Sequence, residues 1–183
     1  MPTHVDEDVI ARAKGPTTLR QVIVAIAFLL IVAAVAFGGS LASSGNVDGW
    51  YANAEKVPWD PPNAVFGPVW TVLYALIALA GFLIWRSGFR MGGPNAAHSA
   101  LMLFVVQMVL NSLWTPVFFA GYPVFGAAAW WIAAVIIIAL ILVVIALAVS
   151  AAKWSRIASW IMVPYLLWLG FATTLNIGII ALN

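Results

Sequence analysis

Long uncharged segments constrain this chain more than any other feature of its sequence. No Asp, Glu, Lys or Arg occurs at positions 21–47, 61–85, 91–152 or 157–183. Only 8% of all residues are charged, whereas a soluble domain has roughly 25%. A chain with so few charges cannot cover its surface with polar groups, so we expect a lipid bilayer to surround most of it.

The uncharged segments predict five membrane-spanning helices. A helical span needs about 20 apolar residues, and the longest segment is interrupted near its middle by Gly121-Tyr122-Pro123. Val135–Val149 does not alternate in polarity, as a strand of a membrane barrel would. The predicted class is therefore an all-α membrane protein. We expect a polar tail at 1–20 and one five-helix bundle at 21–183, with spans near 22–41, 64–85, 97–119, 124–149 and 157–181 and a loop at 42–63.

The basic residues predict the orientation of the bundle. In a five-span protein the tail shares one side with the loops at 86–96 and 150–156, and this side carries seven Lys or Arg. The other side carries only Lys56. Because basic residues accumulate on the cytoplasmic side, we expect a multi-pass protein of the bacterial cell envelope with a cytoplasmic N-terminus.

Several kinds of chemistry lack the residues that they need. The chain has no cysteine, and its two histidines, His4 and His98, have no partner at metal-ligand spacing. The predicted spans contain no carboxylate, so a proton relay through the membrane has no members. We therefore predict no catalytic residue, no metal site and no required cofactor, and a net charge of +2 gives no reason to expect nucleic acid.

The third predicted span carries polar and aromatic residues on one helical face. Gln107, Asn111, Trp114 and Phe118 follow i, i+4, i+7, i+11 spacing and therefore share that face. An amide that faced lipid would lose its hydrogen bonds at a cost of several kcal/mol, so the face should point inward. Two interpretations stay open: hydrogen bonds between helices alone, worth ~0.6 kcal/mol each, or such bonds together with ligand contact.

Two other spans show similar aromatic faces. Trp70 and Tyr74 lie four residues apart on the second span. Tyr165 and Trp168 share a face of the fifth span and directly follow Pro164, which lacks a backbone N–H. The fifth-span pattern is consistent with a packed kink or with an opened pocket wall.

The loop between the first two spans is rich in rigid and aromatic residues. It contains Trp50, Trp59 and prolines at 58, 61 and 62. One interpretation is a plug for the mouth of the bundle. The other is a preorganised lid, which loses little entropy when a planar ligand binds and which offers indole faces for stacking.

Four stretches together resemble the translocator protein family, also called the tryptophan-rich sensory protein or peripheral-type benzodiazepine receptor family. They are WYANAEKVPWDPP, FGPVWTVLY, QMVLNSLWTPVFFAG and PYLLWLGFATTLN, and the resemblance runs from about Gly38 to Asn183. It implies a five-helix bundle, usually a homodimer, with an aromatic pocket under the first loop. In that family the pocket binds porphyrins and other flat hydrophobic molecules.

The resemblance also implies roles for individual residues. Trp70 and Tyr74 match pocket residues of the second helix, Asn111 and Trp114 match the third, and Trp168 matches the fifth, while Trp50 matches a tryptophan of the lid. With the residues that share their helical faces, the predicted ligand-binding set is Trp50, Trp70, Tyr74, Gln107, Asn111, Trp114, Phe118, Tyr165 and Trp168.

Some positions depart from the family pattern. Val57 follows Lys56 where the family has proline, and Ala64 replaces a frequent tryptophan. Ile177 stands where porphyrin-degrading members have tryptophan, and the C-terminal cholesterol motif is absent. We predict a receptor or sensor that binds porphyrins and transports them or regulates tetrapyrrole metabolism. The alternatives are a light-dependent porphyrin-degrading enzyme and a scaffolding membrane protein without a ligand.

The predicted homodimer has two candidate contact sites. Small residues four apart allow helices to approach closely, and such pairs occur in the first span at Ala34 and Gly38 and in the third at Ala96 and Ala100.

Overall fold

The computed structural model describes residues 15–89 and 93–183. Over these ranges the chain forms helices and no strand. Most of the predicted tail lies outside the described residues, as do Arg12, Lys14 and Arg90, which contribute to the predicted orientation.

Five of the helices are long and apolar enough to cross a bilayer, counted over the described residues. They are Thr18–Val47, Asn63–Ser87, His98–Ala120, Ala127–Ala152 and Arg156–Leu182. This arrangement confirms the predicted all-α membrane class. The bounds are α1 (Thr18–Val47), α2 (Trp50–Asn53), α3 (Asn63–Ser87), α4 (His98–Thr115), the π-helical segment Pro116–Ala120, α5 (Tyr122–Phe125), α6 (Ala127–Ala152) and α7 (Arg156–Leu182).

The five long helices pack in a closed ring. Going around it, α1 contacts α3, α3 contacts α7, α7 contacts α6, α6 contacts α4, and α4 returns to α1. The buried face of α6 follows steps of three and four residues, as expected for a helix packed along one side. Its members include Ala133, Ile137, Leu140, Val144 and Leu147.

The first helix lies at the periphery of this ring. Within the described part of α1 only Val32 is buried, although α1 borders α3 and α4. Its large exposed side chains include Leu29, Leu30, Ile31 and Phe37, which suits a helix that faces lipid.

Three helices meet closely at Gly81 on α3. The rings of Phe28 from α1 and Phe104 from α4 pack edge to face there, with centroids 5.2 Å apart. A Cβ atom at position 81 would lie 2.6 Å from the Phe28 ring and 2.7 Å from the Phe104 ring. A residue without a side chain therefore allows α1, α3 and α4 to approach one another here.

The connections differ in detail from the predicted bounds. The first span was expected to end at 41, but α1 continues to Val47, and α2 occupies part of the expected loop. At the predicted break after the third span, Pro116 begins the π-helical segment and Gly126 makes the turn into α6 with φ of +59°. Proline disturbs the regular hydrogen-bond ladder because it has no N–H. Pro164, by contrast, lies inside a continuous α7.

The two candidate dimer motifs have different environments. Ala100 is fully buried inside the protomer, so it cannot contact a second copy. Ala34 and Gly38 are exposed on α1, and this pair remains a candidate contact.

We predict that Gly81→Ala destabilises the bundle because the new methyl group must displace two phenyl rings. Overpacking typically costs about 1–3 kcal/mol. The matched control is Gly170→Ala on α7, where a Cβ atom meets nothing within 4 Å and should stabilise the helix by about 0.5–1 kcal/mol. Thermal unfolding in detergent should show opposite shifts, and equal shifts would contradict the proposed close contact.

Candidate ligand-binding cavity

A cavity of about 810 Å³ lies inside the bundle. It is bounded by α1 and α3, by the C-terminal parts of α4 and α7, and by α2. Eight of its 24 lining residues are aromatic, and their rings favour flat apolar ligands. The aromatic lining residues are Tyr51, Phe66, Trp70, Tyr74, Trp114, Phe118, Phe119 and Trp168.

Five of the eight residues that α1 contributes to the wall have small side chains or none. Ala33, Ala36, Gly39, Ser40 and Ser43 line the cavity. Ala33, Ala36, Ser40 and Ser43 recur every three or four residues, so they share one face of α1, and Gly39 is next to Ser40. Because these side chains fill little volume, they leave space between α1 and the rest of the bundle.

The aromatic rings form ordered pairs along the wall. Trp70 stacks on Tyr74 with ring centroids 5.2 Å apart, and Trp168 meets Trp70 edge to face at 6.4 Å. Trp114 and Phe118 stack at 5.3 Å. Since each ring is braced by a neighbour, the wall keeps its shape without a ligand.

A hydrogen-bond chain begins at the cavity wall and runs into the bundle. The hydroxyl of Tyr74 donates to Oδ1 of Asn111 at 2.8 Å. Nδ2 of Asn111 donates to the hydroxyl oxygen of Tyr165 at 2.8 Å, and that hydroxyl donates to Oε1 of Gln107 at 3.4 Å. The chain joins α3, α4 and α7 in a region where lipid offers no polar partner.

A second amide joins three elements nearer the end of the bundle. Asn176 lines the cavity, and its Oδ1 accepts from Nε1 of Trp114 at 3.4 Å. Its Nδ2 donates to the carbonyl oxygen of Trp130 at 3.1 Å. Asn176 thereby connects α7 with α4 and α6.

The predicted ligand-binding residues divide into two groups. Five of them line the cavity: Trp70, Tyr74, Trp114, Phe118 and Trp168. The other four are absent from its lining: Trp50, Gln107, Asn111 and Tyr165. Three of these four are the inner members of the hydrogen-bond chain, so they bond to one another inside the bundle.

Trp50 packs beside the cavity rather than in its wall. Its Nε1 donates to the carbonyl oxygen of Phe119 at 3.0 Å, and its ring lies 4.4 Å from Tyr122 and 5.4 Å from Trp130. The neighbouring Tyr51 lines the cavity instead. The sequence does not distinguish these adjacent aromatics, because the orientation of α2 in the folded protein determines which of them faces the cavity.

Other lining residues had a sequence signal but were not included in the predicted ligand-binding set. Asn176 lies eight residues after Trp168, on the same side of the fifth span. The small residues of α1 recur with helical spacing. A polar residue and a stripe of small residues within a span both indicate an inward face.

The loop after α2 is fastened to α7 at three places. Val57 packs directly on Gly178, and Nε1 of Trp59 donates to the hydroxyl of Thr174 at 3.2 Å. The backbone N–H of Glu55 donates to the Asn183 side chain at 3.0 Å, and that side chain donates back to the Glu55 carbonyl at 3.0 Å. Trp59, expected to cover a ligand, lies on an outer groove of α7 and does not line the cavity.

Charged residues of the loop surround Tyr51. Its hydroxyl donates to Oδ1 of Asp60 at 3.3 Å, and Nζ of Lys56 lies 4.2 Å from the centre of its ring. Burial and the nearby Asp60 carboxylate raise the pKa of Tyr51. Burial also raises the pKa of Asp60, while Lys56 and the hydrogen bond from Tyr51 oppose this shift.

Together the fold and the cavity define a class: an integral multi-pass membrane protein with an aromatic cavity inside a five-helix bundle. Residues 27–182 match the model of the TspO/MBR family. The chain belongs to this family.

Individual relatives cover most of the chain. Tryptophan-rich protein TspO of Archaeoglobus fulgidus is 37% identical over 159 residues, covering 86% of this chain and 95% of the relative. Translocator protein of Homo sapiens is 34% identical over 153 residues, covering 83% and 85%. Tryptophan-rich sensory protein of Cereibacter sphaeroides is 33% identical over 161 residues, covering 85% and 90%.

We predict that Gly178→Ala loosens the loop, because the added methyl group occupies the space of the Val57 side chain. Trypsin cleavage after Lys56 reports the loosening directly, since the bond lies within this loop. We expect cleavage several-fold faster than in the parent, with the parent rate in Gly170→Ala. Identical rates in all three proteins would show that Gly178 does not hold the loop.

We predict that Asp60→Asn stabilises the protein more at neutral pH than at acid pH. A carboxyl whose pKa is raised by folding binds its proton more tightly in the folded state, so stability falls as pH rises through that raised pKa. Asparagine still accepts from Tyr51 but carries no charge. Thermal unfolding should show a gain that shrinks toward pH 4, and a gain that grows on acidification would contradict the sign.

Proposed function

We propose that this protein is a membrane receptor or sensor that binds porphyrins and related flat hydrophobic ligands in the intrabundle cavity. The observation that supports this function is a braced aromatic cavity of about 810 Å³. Ligand pockets commonly enclose about 300–1,000 Å³ and are mostly apolar. Family membership supports the same proposal, because the sequences of the relatives align with this chain over most of its length.

The charge distribution supports one orientation for a porphyrin. Among the described residues, no Asp, Glu, Lys, Arg or His lines the cavity. An ionised propionate inside it would lose its hydration without gaining a partner of opposite charge, which is costly. Lys56 lies beside Tyr51, which is part of the lining. In our proposal the macrocycle enters the cavity and its carboxylates remain near Lys56.

The proposal extends to the membrane and to assembly. The positive-inside bias supports a cytoplasmic N-terminus, which puts α2 and the loop after it on the opposite side. The exposed Ala34 and Gly38 support helix contact in a homodimer. A receptor of this kind could move its ligand across the bilayer or regulate tetrapyrrole metabolism.

We predict that Trp70→Ala weakens protoporphyrin IX binding by about tenfold or more. The substitution removes a stacking surface and the brace for Tyr74. The matched control is Trp160→Ala, because Trp160 is 73% exposed and lies outside the cavity lining. A fluorescence titration of both variants and the parent in detergent measures the difference.

Two outcomes would contradict the proposed function. Equal affinities in the parent and in Trp70→Ala would show that protoporphyrin IX binds elsewhere. Absence of binding to the parent would favour the scaffolding alternative. Illumination of the bound complex, followed by product analysis, separates a receptor from a porphyrin-degrading enzyme.

A further inference from the structure

Three buried side-chain donors among the described residues have no hydrogen-bond partner: Nε2 of Gln107, Nε1 of Trp130 and Nε1 of Trp168. Gln107 is fully buried, yet among the described residues nothing accepts a hydrogen bond from its Nε2. A buried N–H without a partner is rarer and less favourable than a carbonyl oxygen without one. Gln107 is also the inner end of the hydrogen-bond chain that starts at the cavity.

All three hydrogen bonds of this chain are donated in the same direction, from the cavity inward. Tyr74 donates to Asn111, Asn111 donates to Tyr165, and Tyr165 donates to Gln107. The last acceptor, Oε1 of Gln107, lies 3.4 Å from the Tyr165 hydroxyl, which is long for a hydroxyl donor. In this direction the side-chain carbonyl oxygen of Gln107 accepts a hydrogen bond, whereas its N–H groups donate none to any described residue.

The same four side chains can form the chain in the opposite direction. A half-turn of an amide exchanges its oxygen and nitrogen, and a hydroxyl rotates freely enough to donate on either side. Gln107 would then donate to Tyr165, Tyr165 to Asn111, and Asn111 to Tyr74. The number of internal hydrogen bonds is unchanged, but the buried group left without a partner is now a carbonyl oxygen.

Reversal changes what the chain presents to the cavity. Of the four members, Tyr74 is the one that lines the cavity. In the inward direction its hydroxyl hydrogen is used by Asn111, so a ligand can meet only the oxygen lone pairs. In the outward direction Asn111 donates to Tyr74, and the hydroxyl hydrogen is free for a ligand acceptor.

We propose that the cavity selects flat ligands that carry a hydrogen-bond acceptor, and that the Tyr74 hydroxyl donates to that acceptor while the chain reverses. Gln107 does not contact the ligand, but its N–H gains a hydrogen-bond partner when the ligand binds. It therefore acts as a positioning residue. This inference rests on the proposed function of the cavity and specifies the ligand class further. The preferred ligand edge carries a carbonyl-type oxygen rather than an N–H group.

Three planar tricyclic probes of similar shape test the selection. 9-Fluorenone carries an acceptor, carbazole carries a donor, and fluorene carries neither. We compare the affinity ratio of fluorenone to carbazole between the parent and Tyr74→Phe, so that partitioning of each probe into detergent cancels. Phenylalanine retains the stack on Trp70 but cannot donate. We expect the ratio to fall about fivefold in Tyr74→Phe, and to stay at the parent value in Trp160→Ala.

Side-chain NMR of Gln107 tests the reversal at a distance from the ligand. The Nε2 resonances are assigned by their loss in Gln107→Met. We expect fluorenone to move the Gln107 amide proton downfield, because it becomes hydrogen-bonded to Tyr165, and fluorene to leave it in place. Tyr74→Phe should still bind fluorenone but should abolish this shift. A merely structural role of Gln107 would leave its amide proton insensitive to which probe is bound.

The possible outcomes separate this inference from the proposed function. A ratio that rises in Tyr74→Phe, or a Gln107 resonance that is the same with fluorenone and fluorene, overturns the reversal while the cavity remains a ligand site. Failure of protoporphyrin IX and all three probes to bind the parent overturns the proposed function itself. A falling ratio together with the fluorenone-specific shift supports both.

Discussion

Inside a bilayer a polar side chain has no water to bond with, so it must find its partners within the protein. The chain from Tyr74 through Asn111 to Tyr165 meets this requirement and at the same time joins α3, α4 and α7. Asn176 does the same for α4, α6 and α7. These contacts connect α3, α4, α6 and α7 with one another, while α1 contributes a single buried residue, Val32. The cavity lies between α1, which packs loosely, and the other helices of the bundle.

Aromatic packing gives this cavity a shape that does not depend on a ligand. Trp70 is braced by Tyr74, and Trp114 by Phe118. On the other side, the small face of α1 leaves room for a flat molecule between the walls. The loop above contributes Tyr51 to the lining and is fastened to α7 by Val57 and Trp59. Pro58 and Trp59 of this loop thus lie in an outer groove against α7 and do not line the cavity.

The sequence predicted the fold because the constraint behind it is local and composition-dependent. Uncharged segments of span length must be helical in lipid, and all five were found this way. Helical periodicity also predicted that Gln107 and Asn111 face inward, and both are buried. The two interpretations of these amides remained open, because spacing shows which side of a helix a residue lies on and not which group it meets there. Trp70 and Trp168 were predicted as wall residues from the family resemblance and from their helical faces, and they line the cavity.

By itself the sequence thus determined the membrane class, the five helices and the inward faces, since each follows from the polarity of neighbouring residues along one helix. The tertiary structure alone decided that Tyr51 and not Trp50 lines the cavity, because the orientation of α2 depends on what it packs against. It also decided that Asn111 meets two tyrosines instead of open space. Both outcomes depend on where three separate helices converge, and such distances between elements are not encoded in the spacing within any one of them.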